Sequence, residues 1–381
     1  MSFTGKATYS GGTTLPEIAD DVSDLIGLIS PFETPLLDAI GDARNFARST
    51  RHEWLEDRLN PNSSAINNGA GYSASDTVFT VDDGSVFRIG DLIRPNGSDE
   101  VMQATASTMT TVTVTRGYGG TTAAALADNQ ELTVIGHAAL EGEDAAAAVA
   151  QIRVRKENFT QIFTETVSIS GSLDAVTLHG VDREFDYQTI NRLRELMRQL
   201  EQSVICGVKA TSNPEGSASV RRTMGGLLSY ISGANAVVDD AGGAALTEDI
   251  LNATIRAAWE KGGRPNAIVC NGFQKRKISG FVSSGTQFVP GETRLRSLID
   301  VYESDFGVQR VILSRWVPAD KLLILDLDKV QVMPLAGRSF STKPLATTGD
   351  FRKAQVIGEY TLEVHNASDG GHAVIANLAT S

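Results

Sequence analysis

Five histidines, a pair of aspartates, a glycine-rich turn and a short run of serines are the residues of this chain whose types could do chemistry. His52, His137, His179, His365 and His372 share no i,i+4 spacing, so no two imidazoles fall on one helix face as a helical zinc site requires. His52-Glu53-Trp54-Leu55-Glu56 opens like a zinc-protease helix, but Glu56 stands where the second histidine belongs, leaving a plain amphipathic segment. Asp326-Leu327-Asp328 ends an apolar stretch and could offer two carboxylates to Mg²⁺, the one arrangement that would support a metal-dependent enzyme. No third acidic ligand follows nearby, and aspartate at a strand end commonly forms a turn, which is the reading preferred here. Gly117-Tyr-Gly-Gly-Thr-Thr122 has neither the lysine of a P-loop nor the third glycine of a dinucleotide fold, and reads as a hairpin corner. Ser168, Ser170 and Ser172 surround Gly171 without a Gly-x-Ser-x-Gly elbow or a histidine placed to be a base. These residues give no catalytic, cofactor-binding or metal site, and the chain reads as a non-enzyme.

At 381 residues the chain can divide into two or three domains and bury ample core. Acidic residues outnumber basic ones by twelve, so the chain as a whole should repel bare nucleic acid and anionic membrane. The first residues show no charged region followed by an apolar one, and no apolar run approaches the roughly 18 residues needed to span a bilayer. Cys206 and Cys270 lie far apart and read as free thiols of a reducing compartment. A soluble protein made in the cytoplasm, with no membrane partner, is expected.

The dominant element is a long amphipathic helix from Asp182 to about Val208. Ile190, Leu193, Met197, Leu200, Val204 and Val208 recur at the period of one helix face, and Arg192, Glu195, Arg198 and Glu201 mark the opposite, solvated face. On this reading Leu200 is indispensable and Glu201 replaceable. A rod of about 40 Å with no chemistry beside it reads as a beam in an assembly. After it the pattern turns α/β. Thr247 caps a helix running to Trp259, Asn266–Asn271 is a buried strand, and a basic helix surrounds Lys275-Arg276-Lys277. Val308–Leu313, Leu322–Leu325, Val330–Met333, Ala354–Val364 and Ala373–Leu378 are further strands, the last two forming a hairpin across Asn366–Gly371.

Before the long helix the chain is less regular. Residues 1–60 read as an arm: a helical stripe of Ile18, Val22, Leu25, Ile26 and Ile29, then a short helix Leu36–Ile40 between Thr34-Pro35 and Gly41. Two proline-broken helices make no core, so Leu36, Leu37 and Ile40 need another surface and are candidate assembly contacts. Arg44, Arg48 and Arg51 follow at helical spacing. Without interleaved aromatics to stack on bases, they are read as pairing with acidic neighbours rather than with DNA. Residues 61–71 have the composition of a linker. Thr77–Val81, Leu92–Arg94, Glu100–Ala104, Val112–Arg116 and Glu131–Ile135 then form a five-strand unit, a small barrel or curled sheet, with Tyr118 at its glycine-rich corner as a further contact candidate.

This order of parts resembles the major capsid protein of tailed bacteriophages, the Hong Kong 97-like fold. The likeness is carried by Ile29-Ser-Pro-Phe-Glu-Thr-Pro-Leu-Leu-Asp-Ala-Ile-Gly41, His52-Glu-Trp-Leu-Glu-Asp57, Gly90-Asp-Leu-Ile93, Thr115-Arg-Gly-Tyr-Gly-Gly-Thr-Thr122 and Met224-Gly-Gly-Leu-Leu-Ser-Tyr230. It implies an α+β fold with an N-terminal arm (1–60), an extended loop (61–150) carrying the β insertion (about 72–136), and a peripheral domain (151–222) with the spine helix (about 182–208). An axial α/β domain (223–330) and returning C-terminal strands (331–381) complete it. It also implies self-assembly into hexamers and pentamers of an icosahedral virion capsid enclosing double-stranded DNA. Scaffolding, portal and decoration proteins are the further partners of such a shell. The shell of a bacterial nanocompartment is the alternative on the same fold.

Overall fold

The computed structural model describes residues 31–380 apart from 42, 44, 143, 145–150, 177–182, 234 and 283–300. The stripe at Ile18–Ile29, Arg44 and most of the alanine-rich stretch 141–150 therefore lie outside the described residues.

In chain order, α1 (Pro35–Ile40) is followed by β1 (Arg51–Glu56), β2 (Ser63–Ala65), β3 (Val78–Thr80), β4 (Asp91–Pro95), β5 (Met102–Ser107), β6 (Thr111–Thr115) and β7 (Glu131–His137). Next come β8 (Val154–Phe159), β9 (Gln161–Ser170), α2 (Gly171–Ala175), α3 (Glu184–Cys206), α4 (Leu227–Tyr230), β10 (Val237–Asp240) and α5 (Glu248–Glu260). The remainder is β11 (Ala267–Cys270), α6 (Gly272–Val282), β12 (Val301–Ser304), β13 (Gly307–Leu313), β14 (Leu322–Leu325), β15 (Val330–Pro334), β16 (Ser341–Pro344), β17 (Phe351–Val364) and β18 (Ala373–Ala376). The chain forms two units, residues 55–154 and residues 1–54 with 155–381.

The smaller unit is a closed barrel. Its strands run β2-β7-β4-β5-β6-β3, and an antiparallel bridge between Ile66 and Val81 joins the two ends. Asn67 N donates to Thr80 O at 2.9 Å and Asp82 N to Ala65 O at 3.0 Å across that seam. Closure removes the sheet edges, which an isolated small sheet would expose to pairing with other chains. Alternate residues face inward as Phe79, Ile93, Met102, Ala104, Val112, Val114 and Leu132, which fill the interior. The barrel has six strands where the sequence suggests five. β2 falls in the expected linker 61–71: its composition reads as loop, and only pairing with β7 makes it a strand.

The larger unit holds two sheets. The first runs β10-β18-β14-β11-β13-β12, with β10/β18 and β11/β13 parallel and the other pairs antiparallel. Both its faces are covered, which explains uninterrupted apolar runs such as 267–270 and 322–325. Ile268, Cys270, Leu322, Ile324 and Ile375 face the core built with α5, whereas Ala267, Val269, Leu323, Leu325 and Val374 face the core built with α3. The second sheet is centred on β17, with β9 on one edge and β15 and β16 on the other. The expected hairpin between the last two strands is therefore not formed. Both edges of β17 are already taken, so the chain crosses at 366–371 and β18 pairs with β10 and β14 instead.

α3 runs 23 residues, about 35 Å at about 1.5 Å per residue. Glu184 and Asp186 sit in its first turn, where the helix dipole favours negative charge. Its buried face is Phe185, Leu196, Leu200, Glu201, Val204 and Ile205. That corrects the expected stripe at both ends, because Ile190 is 51% exposed and Val208 69%. Near the start Phe185, packed with Val167, Ile169 and Ala354, sets the buried face and Ile190 lies off it, while Val208 follows the end of the helix at Cys206. His52–Glu56 is also a strand rather than a helix turn, and residues 45–50 are not helical, so the helical spacing of Arg48 and Arg51 aligns nothing.

Candidate functional site

The arm is seated on α3 through a buried carboxylate. Pro35 occupies a position in the first turn of α1 and Gly41, at φ 74°, ends it. Thr34 makes no side-chain cap, so the amides at the helix start need another acceptor. Glu201 supplies it: Leu36 N donates to Oε1 at 3.3 Å, Leu37 N donates to Oε2 at 3.4 Å, and Ser314 Oγ donates to Oε1 at 3.1 Å. Glu201 is fully buried. It was expected on the solvated face, and that expectation is wrong. Its neighbours one turn away are Met197, Arg198, Val204 and Ile205, three of them apolar, a signal outweighed by the charge pattern.

Three further polar joints hold the larger unit. Asn158, with no exposed surface, donates from Nδ2 to Gly225 O and Leu362 O and accepts at Oδ1 from Gly225 N and Phe159 N. All its hydrogen-bonding capacity is used, tying β8 to β17 and to the start of α4. Glu359 on β17 is buried and accepts from Thr160 Oγ1 at 2.6 Å, pairs with Arg338 at 2.7 Å, and also pairs with Arg222. Glu363 accepts from His52 Nε2 at 2.7 Å and His365 Nε2 at 2.6 Å. Burial opposes its charge, but the bonds from His365 and His52 outweigh that and hold its carboxyl down to about 2.

The aspartate pair proposed above as a metal alternative is a turn. Asp326 Oδ1 accepts from Asp328 N, and Asp326 Oδ2 lies 3.5 Å from Lys329 Nζ. Among the described residues no group of three or more His, Cys, Asp or Glu side chains is placed to hold a metal ion. Beside this turn His372 is fully buried, with Nδ1 accepting from Asp326 N and Nε2 donating to His365 O, each at 3.1 Å. That pair of bonds requires the neutral ring, and burial pushes its pKa down to about 4. The folded chain thus declines a proton that the unfolded chain accepts near 6.5, so stability present above about pH 6.5 is lost as pH falls toward 4. A His372→Gln chain keeps both hydrogen bonds without the titration. Its Tm is expected to fall less than that of the parent between pH 6.5 and 4, a difference of up to about 3 kcal/mol in stability. Parallel profiles for the two chains would refute the assignment.

In the barrel, Arg116 and Glu100 form a buried pair at 2.6 Å. Arg116 also donates to Ser73 O, Asp76 O and Ala124 O and lies over the Phe79 ring, its Cζ 5.3 Å from the centroid. Glu100 accepts in addition from Gly117 N and Ala124 N. Burial opposes the Glu100 charge, but Arg116 and these amides outweigh it and lower its pKa. The glycine-rich stretch beside it is a tight corner, with Gly117 at φ 62° and Tyr118 N bonded to Val101 O. It turns the chain in the connection between β6 and β7, which pair with other strands and not with each other, so the expected hairpin corner is not formed.

The contact candidates do not form one cluster. Leu36 is fully buried, and Leu37 and Ile40 are packed partly against the same core, so α1 finds its cover within this chain. Arg48 is exposed. Arg51 pairs with Glu53 at 3.0 Å and with Glu157, both in its own chain. Tyr118 is 40% exposed at the barrel corner. Sequence reading missed the more open apolar residues that flank the barrel, Leu59 at 92% exposed and Ile152 at 90%. Their neighbours in sequence are charged or polar, so no periodicity marks them.

The model of the SU10 major capsid protein family matches residues 4–379. The chain belongs to that family. Its fold is similar to a chain of the cyanophage A-1(L) capsid asymmetric unit, at 13% identity over 96% of this chain and 98% of that one, with TM-score 0.55. It is also similar to a chain from the capsid of Myoviridae phage XM1 (13% identity, 97% and 100% covered, TM-score 0.53) and to one from Mycobacterium phage Bobi (12%, 96% and 96%, 0.51). No curated protein sequence matches the chain. The expected α+β capsid fold is thus borne out. Within this major capsid protein family member, Glu201, Asn158 and Glu359 join elements of the larger unit and Glu100 those of the barrel, all through buried polar bonds.

Proposed function

We propose that this chain is the principal shell subunit of a tailed-phage head, assembling with copies of itself into hexamers and pentamers around double-stranded DNA. The observation that carries this reading is the family match over residues 4–379. In this proposal residues 223–330 meet around the capsomer axes, and residues 151–222 with 331–381 form the periphery. Residues 1–60 and 61–150 reach neighbouring subunits. The protein works by geometry rather than by catalysis, and it is assembled in the host cytoplasm. Scaffolding, portal and decoration proteins are proposed partners on the same grounds. Negative-stain microscopy of the purified protein tests the reading: head-sized icosahedra support it. Small uniform shells would instead indicate a nanocompartment, and isolated oligomers an unrelated role.

The barrel is proposed to serve contacts between subunits. Replacing residues 72–136 by a short Gly-Ser connection is expected to leave α3 and the six-stranded sheet folded, because closing a loop costs only about 0.6 kcal/mol per doubling of its length. Shells are expected to be absent or malformed. Circular dichroism reports the first outcome and sedimentation the second. Normal shells from the shortened chain would remove the barrel from assembly.

A further inference from the structure

Glu201 differs from the buried Glu359 and Glu100 and the partly buried Glu363 in having no ion pair among the described residues. Glu359 pairs with Arg222 and Arg338, Glu363 with His52 and His365, and Glu100 with Arg116. Glu201 meets only neutral donors, two amides of α1 and the Ser314 hydroxyl, and no Lys, Arg or His among the described residues forms an ion pair with it. The charged groups on the surrounding elements do not change that. Asp38 on α1 is a second acid that raises the cost of ionising Glu201. Arg315, next to Ser314, is engaged by Glu33 at 3.0 Å, and in the turn before β15 Lys329 faces Asp326. On α3 itself Arg198 lies one turn back.

We propose that Glu201 is a proton-gated clamp on the arm: protonated, it holds α1 against α3 and the end of β13, and ionised, it favours release of α1 so that the carboxylate can reach water. A neutral carboxyl buries no charge: with the proton on Oε1 it can donate to Ser314 Oγ, 3.1 Å away, while Oε2 still accepts from Leu37 N. An ionised one keeps the bonds but carries an uncompensated charge in an apolar core, which only three neutral dipoles offset. Burial is the largest influence and pushes the pKa up to about 7, the amides and Ser314 countering it only in part. A carboxyl that reaches water on release would titrate at the ordinary value of 4.5. Release therefore becomes easier as pH rises from about 4.5 to 7 and levels off above that, by up to tenfold per pH unit and about 300-fold in all. The consequence for assembly, an arm kept on its own subunit in acid and available to a second copy at neutral pH, rests on the proposed shell function. The clamp does not.

Hydrogen exchange of the full chain, followed by mass spectrometry and corrected for the intrinsic pH dependence of exchange, tests it between pH 5 and 8. Protection of residues 35–40 is expected to fall between pH 5 and 7 and then plateau, while peptides from α5 stay level. Glu201→Gln keeps an acceptor without the titration and should make the 35–40 profile flat. Asp38→Asn removes the second acid and should move the fall to lower pH, which decides the matter even if the glutamine chain folds poorly. A level profile in the parent, or an unchanged fall in Glu201→Gln, would overturn the clamp. This readout is independent of whether shells form, so failure of the clamp and failure of the shell reading are told apart by running microscopy on the same samples.

Discussion

A chain carrying Leu200→Asp is expected to be recovered as insoluble or non-cooperatively melting material, whereas Leu200→Ala is expected to fold with about 2–5 kcal/mol less stability. Leu200 is 4% exposed in the core that α3 shares with Leu36, Phe163, Val204 and Leu227. An aspartate there would lose its hydration with no donor placed to replace it, at a cost of several kcal/mol. Added to the lost packing, that is comparable to the roughly 5–15 kcal/mol that keeps a domain folded. The adjacent position makes the contrast. Glu201 is already a buried carboxylate, and it is tolerated because Leu36 N, Leu37 N and Ser314 Oγ converge on it. Glu201→Ala strands those donors at about 1–3 kcal/mol each, partly offset by relief of the acid's own desolvation. A net loss of about 2 kcal/mol is expected at pH 6, against the negligible effect that its charge pattern suggests. Urea denaturation of the three variants beside the parent measures all of this. A soluble Leu200→Asp chain with a cooperative transition, or an unchanged midpoint for Glu201→Ala, would show that the buried face of α3 is misassigned.

The contrast between these two neighbours also marks how much the sequence could reveal. Periodicity found α3 and its middle, because Leu200 and Val204 face the core wherever the helix is placed. It could not place the ends, since Ile190 lies off the face that Phe185 buries and Val208 lies after the helix has ended at Cys206. Four strands of the larger unit's six-stranded sheet were legible as short apolar runs such as 322–325, while β10 and β12 were not, and the cap at Thr247 was legible as a side chain with a defined job, which it performs by accepting from Ile250 N. Pairing was not legible: nothing in Ala354–Val364 or Ala373–Leu378 says that β9 already occupies the edge a hairpin would need. The joints were the least visible part. Glu100, Asn158 and Glu359 are polar residues whose partners lie 16 to more than 200 positions away, and composition assigns such residues to the surface. Family-level likeness was legible because it depends on the order of elements, whereas contact residues depend on what each element covers. α1 covers itself on α3, so Leu36 is unavailable to a neighbour while it sits there.

Replacing Arg116 by alanine is expected to unfold the barrel while leaving the larger unit intact. The Arg116 side chain is 7% exposed and that of Glu100 is not exposed at all, so removing the cation leaves a buried carboxylate held only by the amides of Gly117 and Ala124. Breaking a buried pair in this way typically costs about 3–5 kcal/mol. The same change strips the donor from Ser73 O, Asp76 O and Ala124 O, which stitch the stretch before β3 and the loop after β6 onto the barrel. A unit of this size buries a smaller share of its surface than a large domain does, so such a loss exceeds what it can spare. Calorimetry should then show the larger unit melting near its original temperature and the barrel's transition lost or shifted far down. A chain with Arg116→Met and Glu100→Gln together should be less damaged than Arg116→Ala alone, because no charge is left buried without a partner. Hydrogen exchange separates the units directly: protection should vanish in peptides from 63–137 and persist in α5 and β11. Loss of protection across the whole chain would mean that the barrel and the larger unit fold as one, and would undercut the independence on which its proposed role in subunit contacts depends.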